Sequence, residues 1–429
     1  QEEIDAWQQN NKPTAVSLDP TETTTSIPLE PPTTVTTPTA PIVAAETSNE
    51  TELKQPIESS KSTETEETVV VGKEETTKAT TESESKAPDT AATIEPAPKP
   101  KPKGRKPESK EQLREWLHYL AKTSVACATE EYGAPNTWDV TDITDMEQLC
   151  CWLGFDGGNT QLPSDFDISD WDVSNVTTMG GMFRRQKSFN SNLSKWDTRN
   201  VKSMGGMFIG CTAYNQPMNN WSTSLVTHMN SMFSKAESFN QSVEDWDTSS
   251  VTEMGGMFRG AVAFNQPINK WKTSEVESFA EMFNGAKCFN QSISDWDTSK
   301  AEKMKAMFCG AESFNQPVSH FDTSHVKSFA EMFKNAKVFN QPLFEKFGNK
   351  VKGFGRLFEG AEAFNQPVSM LNMSNAKTTR AMFKGALMFN QPVEMWDISK
   401  MKHMEEIFDG ATAFKQTIPE SWKEKFDYL

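Results

Sequence analysis

The sequence predicts an α+β repeat protein, a solenoid of about ten 25-residue units that follows a disordered N-terminal arm. The prediction rests on a strict internal period and on an abrupt change of composition near residue 110. Each unit is expected to contain a short helix and a short extended strand. One phenylalanine of the unit recurs every 25 residues, at Phe183, Phe208, Phe233, Phe258, Phe283, Phe308, Phe333, Phe358, Phe383 and Phe408.

Residues 1–110 have the composition of a mucin-like, Thr/Pro/Glu-rich arm. They contain 21 Thr and 14 Pro but no Phe, Tyr, Cys or Met, and Trp7 is their single aromatic residue. So little apolar surface cannot offset the entropy lost on ordering, which predicts disorder. The arm would act as a spacer, and the sequon at Asn49 is its candidate for glycosylation.

The charge of the chain excludes some classes of partner. The formal net charge is -16, and the basic residues are not concentrated as phosphate binding requires, so we predict no nucleic-acid partner. The sequence contains no run of 18 or more apolar residues, so we predict no transmembrane helix. Because the chain begins at Gln1, we expect a mature form from which a targeting segment has been removed, and hence a secreted or cell-surface protein.

The unit from Trp246 to Gln266 illustrates the local prediction. Val251, Met254, Met257, Phe258 and Ala261 are spaced by three and four residues, the spacing of one face of a short helix. A serine precedes this run in most units and suits the helix N-cap, while a glycine column suits the left-handed residue that ends the helix. The following Phe-Asn-Gln-Pro segment is the expected strand, although its apolar alternation is poor.

The periodic pattern sets the domain boundaries. We expect residues 111–165 to form an N-terminal cap, with a helix from Glu111 to about Tyr132 and a degenerate repeat displaced by 33 residues. The regular repeats cover 166–418, and 419–429 are expected to cover the C-terminal end. Such covers are needed because the open ends of a solenoid expose core and strand edges.

The repeated phrase Phe-Asn-Gln-Pro, followed by Trp-Asp-Thr-Ser and then Met-x-x-Met-Phe, resembles the 25-residue repeat of BspA-like leucine-rich-repeat surface proteins, the type also found in mycoplasma lipoproteins. The resemblance covers about 166–418. It implies a leucine-rich-repeat-like solenoid, exposure outside the cell, and adhesion or protein binding. The lipoprotein members carry an N-terminal lipid-accepting cysteine, and the sequence from Gln1 does not show one, so we do not expect membrane anchoring by that route.

Three columns of the repeat invite a chemical interpretation. The Trp column could bind carbohydrate, but Phe321 and Leu371 replace it, which favours a place in the core. The Asp column could bind calcium, but Lys272 interrupts it, which favours turn chemistry. The Asn column resembles the buried ladders that satisfy backbone groups at turns. The five histidines lack metal-ligand spacing, and no nucleophile or phosphate-loop motif occurs, so we predict no enzyme, cofactor or metal site.

The remaining candidate is a variable surface between the aliphatic residue and the Trp of each unit. On a strand these residues would line the concave face of a sheet about 50 Å long, at about 4.8 Å per strand. The first hypothesis is an extracellular binding or adhesion module that uses this face to contact a protein or glycan. The alternative is a self-associating structural subunit of an extracellular matrix, wall or filament. The candidate binding residues are Asn220, Asp245, Lys270, Asp295 and His320.

Overall fold

The structure is a computed structural model that describes residues 105–151 and 160–426. The predicted disordered arm lies outside the described residues, except for residues 105–110. The sequon at Asn49 and the loop around Gly157 also lie outside them. Helices occur only near the two ends of the described chain: α1 (Lys110–Lys122), α2 (Val125–Tyr132), a 3₁₀ turn (Pro135–Thr137) and α3 (Glu420–Lys425). The repeats occupy the region between the 3₁₀ turn and α3.

The repeat units stack on one another in parallel register. An isolated β-bridge joins equivalent residues of neighbouring units, as between His228 and Glu253 and between Glu253 and Ser278. The first bridge joins Asp145 to Thr178, which are 33 residues apart, so the degenerate first copy pairs in the predicted register. The prediction of a repeat protein is therefore confirmed.

The predicted helix is absent from the described repeat units, where consecutive turns replace it. Within one unit the N–H of Met257 donates to the carbonyl of Met254 at 3.1 Å, an i to i+3 bond. The next N–H, of Phe258, instead leaves the unit and donates to Met282 of the following one at 2.9 Å. Because alternate N–H groups point along the stack, they cannot form the i to i+4 bonds of a helix. The serine column accordingly caps no helix.

The predicted strand is also absent, and side chains join this segment to its neighbours. The N–H of Asn265 donates to Oδ1 of Asn240 at 2.9 Å, and Nε2 of Gln266 donates to the same oxygen at 3.0 Å. The proline that follows has no N–H, so a backbone ladder cannot continue through it. The Asn column thus satisfies backbone groups as predicted, but its side chains are half-buried or exposed, as at Asn240 and Asn290, rather than fully buried.

Stacked aromatic rings form the core. The ring of Phe258 lies 3.8 Å from that of Phe264 in the same unit and 5.8 Å from that of Phe283 in the next. Trp221 and Trp246 stack at 6.4 Å with their planes 3° apart, and both are almost fully buried. The Trp column therefore lies in the core and offers no exposed platform for a sugar ring.

Left-handed backbone conformations end each run of turns. The predicted column has positive φ, for example 68° at Gly260 and 56° at Asn335. A second left-handed column lies four residues earlier and was not predicted, because it accepts residues such as Ser231 and Glu281 as well as glycine. Its conformation is imposed by the hydrogen bonds between units, which outweigh the local preference for glycine.

Helices cover both ends of the array. The predicted helix from Glu111 to Tyr132 is two helices, with Ser124 capping the second through its hydroxyl to the N–H of Cys127. Trp116 of α1 contacts Trp138, which begins the Trp column. At the other end, Trp422 of α3 stacks on Trp396 at 6.0 Å.

One unit departs from the regular pattern. Phe344 stacks on Phe321 at 6.3 Å and so fills the place of the missing Trp, two residues before the expected position of Lys346. The chain that follows is correspondingly longer and passes close over the preceding unit. A Cβ at Gly348 would lie 2.6 Å from the carbonyl oxygen of Ser324, so a side chain does not fit there.

Candidate functional site

The candidate binding residues lie on tight turns and not on the strand that the sequence predicted. In the regular units the N–H of the Trp or its replacement donates to the carbonyl of the aliphatic residue three positions earlier, as from Trp271 to Ile268 at 3.2 Å. This bond closes a β-turn whose two central residues project outward. We call the ten turn residues 219–220, 244–245, 269–270, 294–295 and 319–320 the turn ridge.

Neighbouring turns of the ridge contact each other through polar side chains. Nζ of Lys270 lies 3.3 Å from Glu244 and 3.5 Å from Asp245 in the preceding unit. Hydrogen bonding to Glu244 raises the pKa of Lys270, a side chain that is charged at neutral pH in any case. The side chains of Lys270 and Asp245 remain 64% and 77% exposed, so the pair is available to a partner.

Asn220 and Asp295 are also exposed on the ridge. Nδ2 of Asn220 donates to the carbonyl of Ser194 at 3.5 Å, and the N–H of Asp295 donates to Oδ1 of Asn269 at 3.1 Å. These bonds fix the turn backbones while the carboxylate of Asp295 faces solvent. The structure thus brings four of the five candidates together as one exposed row.

His320 differs from the other four because its ring serves the core. Its Nε2 lies 3.0 Å from the carbonyl oxygen of Ile293, which can only accept, so Nε2 carries the proton. In regular units this type of carbonyl accepts from the indole N–H of the Trp, as Ile268 does from Trp296 at 3.1 Å. Phe321 has no such donor, and the half-buried His320 replaces it. We therefore interpret His320 as a structural residue.

The equivalent turns of the later units add exposed apolar side chains that the sequence analysis missed. Met370 and Met395 occupy the position that Lys270 holds in its own unit, and they are 40% and 77% exposed. Exposed methionines adapt to many surfaces and are frequent at sites of protein recognition. Their alignment with the ridge, visible in the 25-residue register, was the signal that could have found them.

The Asp column forms turns. Oδ1 of Asp247 accepts from the N–H of Ser249 at 3.0 Å, and Asp322 and Asp397 repeat this bond with the serines two residues later. Hydrogen bonding to the serine lowers the pKa of Asp247 and of Asp322. This supports the interpretation of the column as turn chemistry.

The described residues contain neither a metal-ligand cluster nor a membrane-spanning helix. Residues 105–151 and 160–426 contain no group of three or more His, Cys, Asp or Glu side chains arranged to hold a metal ion. Within the same ranges, no helix has the length and apolarity that crossing a membrane requires.

One protein family matches most of the chain. The model of a family described as "Mycoplasma protein of unknown function, DUF285" matches residues 122–244, 154–271, 264–351 and 345–425. These segments overlap and together run from 122 to 425, more than two-thirds of the chain. No curated protein and no solved structure gives a significant match.

Proposed function

The chain belongs to this DUF285 family of repeat proteins, and we propose that it is a non-enzymatic binding or adhesion module that acts outside the cell. The turn ridge would contact a protein or glycan on a cell surface or in a matrix. The Thr/Pro-rich arm would hold the repeats away from their point of attachment. The resemblance of the repeat phrase to BspA-like leucine-rich-repeat surface proteins supports this proposal and its extracellular location.

The exposed row of the turn ridge is the observation that carries the proposal. Each turn is held by a backbone bond, while the residue before the Trp or its replacement changes along the ridge between Asn, Asp, Lys and His, and is Met in two later units. A rigid frame with variable side chains gives a partner many contacts at little cost in conformational entropy. Acidic, basic and apolar groups on one row suit a protein or glycan surface of mixed character.

Charge reversal on the ridge tests the proposal. The variant Asp245→Lys, Lys270→Glu, Asp295→Lys exchanges the signs of the pair between positions 245 and 270 and loses the attraction to Glu244. Exposed ion pairs contribute only about 0–1 kcal/mol, so the fold should persist. The full chain would be screened against immobilised matrix proteins and glycans. We expect the variant to lose about tenfold or more in affinity for any partner the wild type binds, because complementary charges become repulsive.

A matched variant on another corner provides the control. Lys187→Glu, Glu237→Lys, Glu362→Lys changes three exposed residues at one other turn position of the repeat and gives the same change of net charge. The control should bind as the wild type does. Unchanged binding by the ridge variant, or equal loss in the control, would exclude the turn ridge as the contact surface.

The alternative, a structural subunit that self-associates, is favoured by the C-terminal end of the array. Phe408 and Phe414 are only partly buried, whereas the same columns elsewhere are fully buried, as at Phe383 and Phe389. Such an end could stack on another copy. Light scattering over a hundredfold range of concentration separates the two functions, since a rising mass supports assembly and a constant monomer mass supports the binding module.

A further inference from the structure

Four lysines of the later units form a continuous row on the surface. Lys327, Lys352, Lys377 and Lys402 occupy the same position of consecutive units, and all are exposed. Their backbones are in register, because each N–H donates to the carbonyl of the preceding member at 3.1, 2.8 and 2.9 Å. Parallel chains in register lie about 4.8 Å apart. We call this row the lysine ladder; a turn at 324–325 and its equivalents separate it from the turn ridge.

The charges of the ladder are largely uncompensated. Lys327 pairs with Glu302, but Lys352, Lys377 and Lys402 have no ion pair with any carboxylate of the described residues. In the earlier units the same column holds mainly threonine and glutamate, including Glu277 and Glu302. Like charges on adjacent chains destabilise a fold, and a bound anion would remove that repulsion.

A cavity adjoins the ladder at the irregular unit. It has a volume of about 400 Å3 and is lined by Lys327, Asn349, Lys350, Lys352 and Asn375, so no carboxylate lines it. The cavity lies beside the longer chain segment that follows Phe344. Lysine ammonium groups bind anions as point charges, and amides donate hydrogen bonds to oxygen. The cavity therefore suits one anionic group with hydroxyl neighbours.

We propose that the lysine ladder and this cavity bind a linear sulfated polysaccharide. The row is one or two cations wide and about four units long, which matches a single extended chain with closely spaced sulfates. The overall charge of -16 does not prevent this, because charges beyond about 8 Å are screened at physiological ionic strength. This surface is separate from the turn ridge, so binding at the ladder does not depend on the function proposed for the ridge.

Two other polyanions fit the site less well. Single-stranded nucleic acid is bound through base stacking on exposed aromatic rings, and neither the ladder nor the cavity lining includes an aromatic residue. An anionic membrane presents a broad surface, whereas the ladder is a narrow row. Neither the ladder nor the cavity lining includes an apolar side chain for insertion between lipids.

The test measures binding of the full chain to heparin oligosaccharides by calorimetry at low salt. The variant Lys352→Gln, Lys377→Gln, Lys402→Gln should bind about tenfold more weakly, because three exposed charge contacts are lost. Replacement of the same lysines by arginine should retain binding. A desulfated oligosaccharide should not bind, and affinity should fall steeply as salt is added.

The matched control is Lys187→Gln, Lys202→Gln, Lys272→Gln. It removes the same charge from three exposed lysines elsewhere, one of which, Lys202, lies in the ladder column but outside the ladder. The control should bind within about twofold of the wild type. An equal loss in the control, or no binding by the wild type, would overturn the proposal.

Two further arms complete the test. If the chain binds single-stranded DNA or phosphatidylserine vesicles more tightly than heparin, and the ladder variant loses that binding, the ligand of the ladder is that polyanion and not a sulfated glycan. The turn-ridge variant with Asp245, Lys270 and Asp295 reversed should bind heparin within about twofold of the wild type. This variant makes the ridge more positive by two charges, so a larger change in affinity in either direction would show that heparin contacts the turn ridge and would refute the ladder as its site.

Discussion

Replacing His320 by alanine tests whether this residue takes over the hydrogen bond of a missing tryptophan. The change removes one of two donors to the carbonyl of Ile293, that of His320 at 3.0 Å, and leaves the turn bond from the N–H of Trp296 at 3.2 Å. The net contribution of one such hydrogen bond is about 0.5–1.5 kcal/mol. We therefore expect His320→Ala to lower the free energy of unfolding by about that amount.

Hydrogen exchange measured by mass spectrometry suits a repeat array better than a single melting curve, since neighbouring units can open separately. A loss of about 1.4 kcal/mol would reduce amide protection about tenfold in peptides covering 293–321. Peptides covering 183–208, more than three units away, serve as an internal reference and should not change.

The double variant His320→Ala, Phe321→Trp should restore protection. The new indole would reach the carbonyl of Ile293 as Trp296 reaches that of Ile268 at 3.1 Å. Asp295→Ala is the matched control, because it removes a ridge residue next to a tryptophan that keeps its own bond. Additive losses in the double variant, or an equal loss in the control, would refute the assigned role of His320.

Three further predictions concern the core, the turns and the thiols. Phe258→Ala should cost about 3–5 kcal/mol and lower the thermal midpoint, because a fully buried ring with stacked neighbours is lost; a near-zero shift would contradict the stacked core. Hydrogen bonding to Ser249 lowers the pKa of Asp247, so the contribution of the ionised Asp247 to the free energy of unfolding should be complete above about pH 4 and be lost as the pH falls through the lowered pKa. In acid titrations followed by fluorescence, Asp247→Asn should reduce the pH dependence of stability. Burial raises the pKa of Cys211, so mass spectrometry after alkylation should find the exposed Cys288 modified and Cys211 unmodified until the protein unfolds.

The stacked repeat could be predicted because its period is written in the identities of buried residues. Phe258 and its equivalents lie in the core, except Phe408 of the last unit, which is partly buried, and the degenerate first copy was found at its correct displacement of 33 residues. The positive φ of Gly260 was also predictable, since glycine is the residue that tolerates it best.

The conformation inside the unit could not be predicted. Apolar residues spaced by three and four fit a helix, but they also fit a chain of turns whose alternate N–H groups, such as that of Phe258, bond to the next unit. The sequence of one unit does not contain that neighbour, so local periodicity gave the wrong element.

The exposure of the candidate residues was predicted in part, and their role in binding stays a prediction. Variability at the position before Trp identified the exposed turn residues Asp245 and Lys270, although it placed them on a strand. It did not identify Met370 and Met395 as members of the same row. It also assigned His320 to binding, because only the spatial contact with the preceding unit shows what its ring does.

The number, the length and the register of the units could be predicted from the sequence, because they depend on which side chains must be buried and on how often they recur. The path of the backbone within each unit and the contacts between residues 25 positions apart became visible only in three dimensions. The physical reason is that a unit satisfies about half of its turn hydrogen bonds only through its neighbours. The lysine ladder exists for the same reason, since its four charges become adjacent only when their units stack.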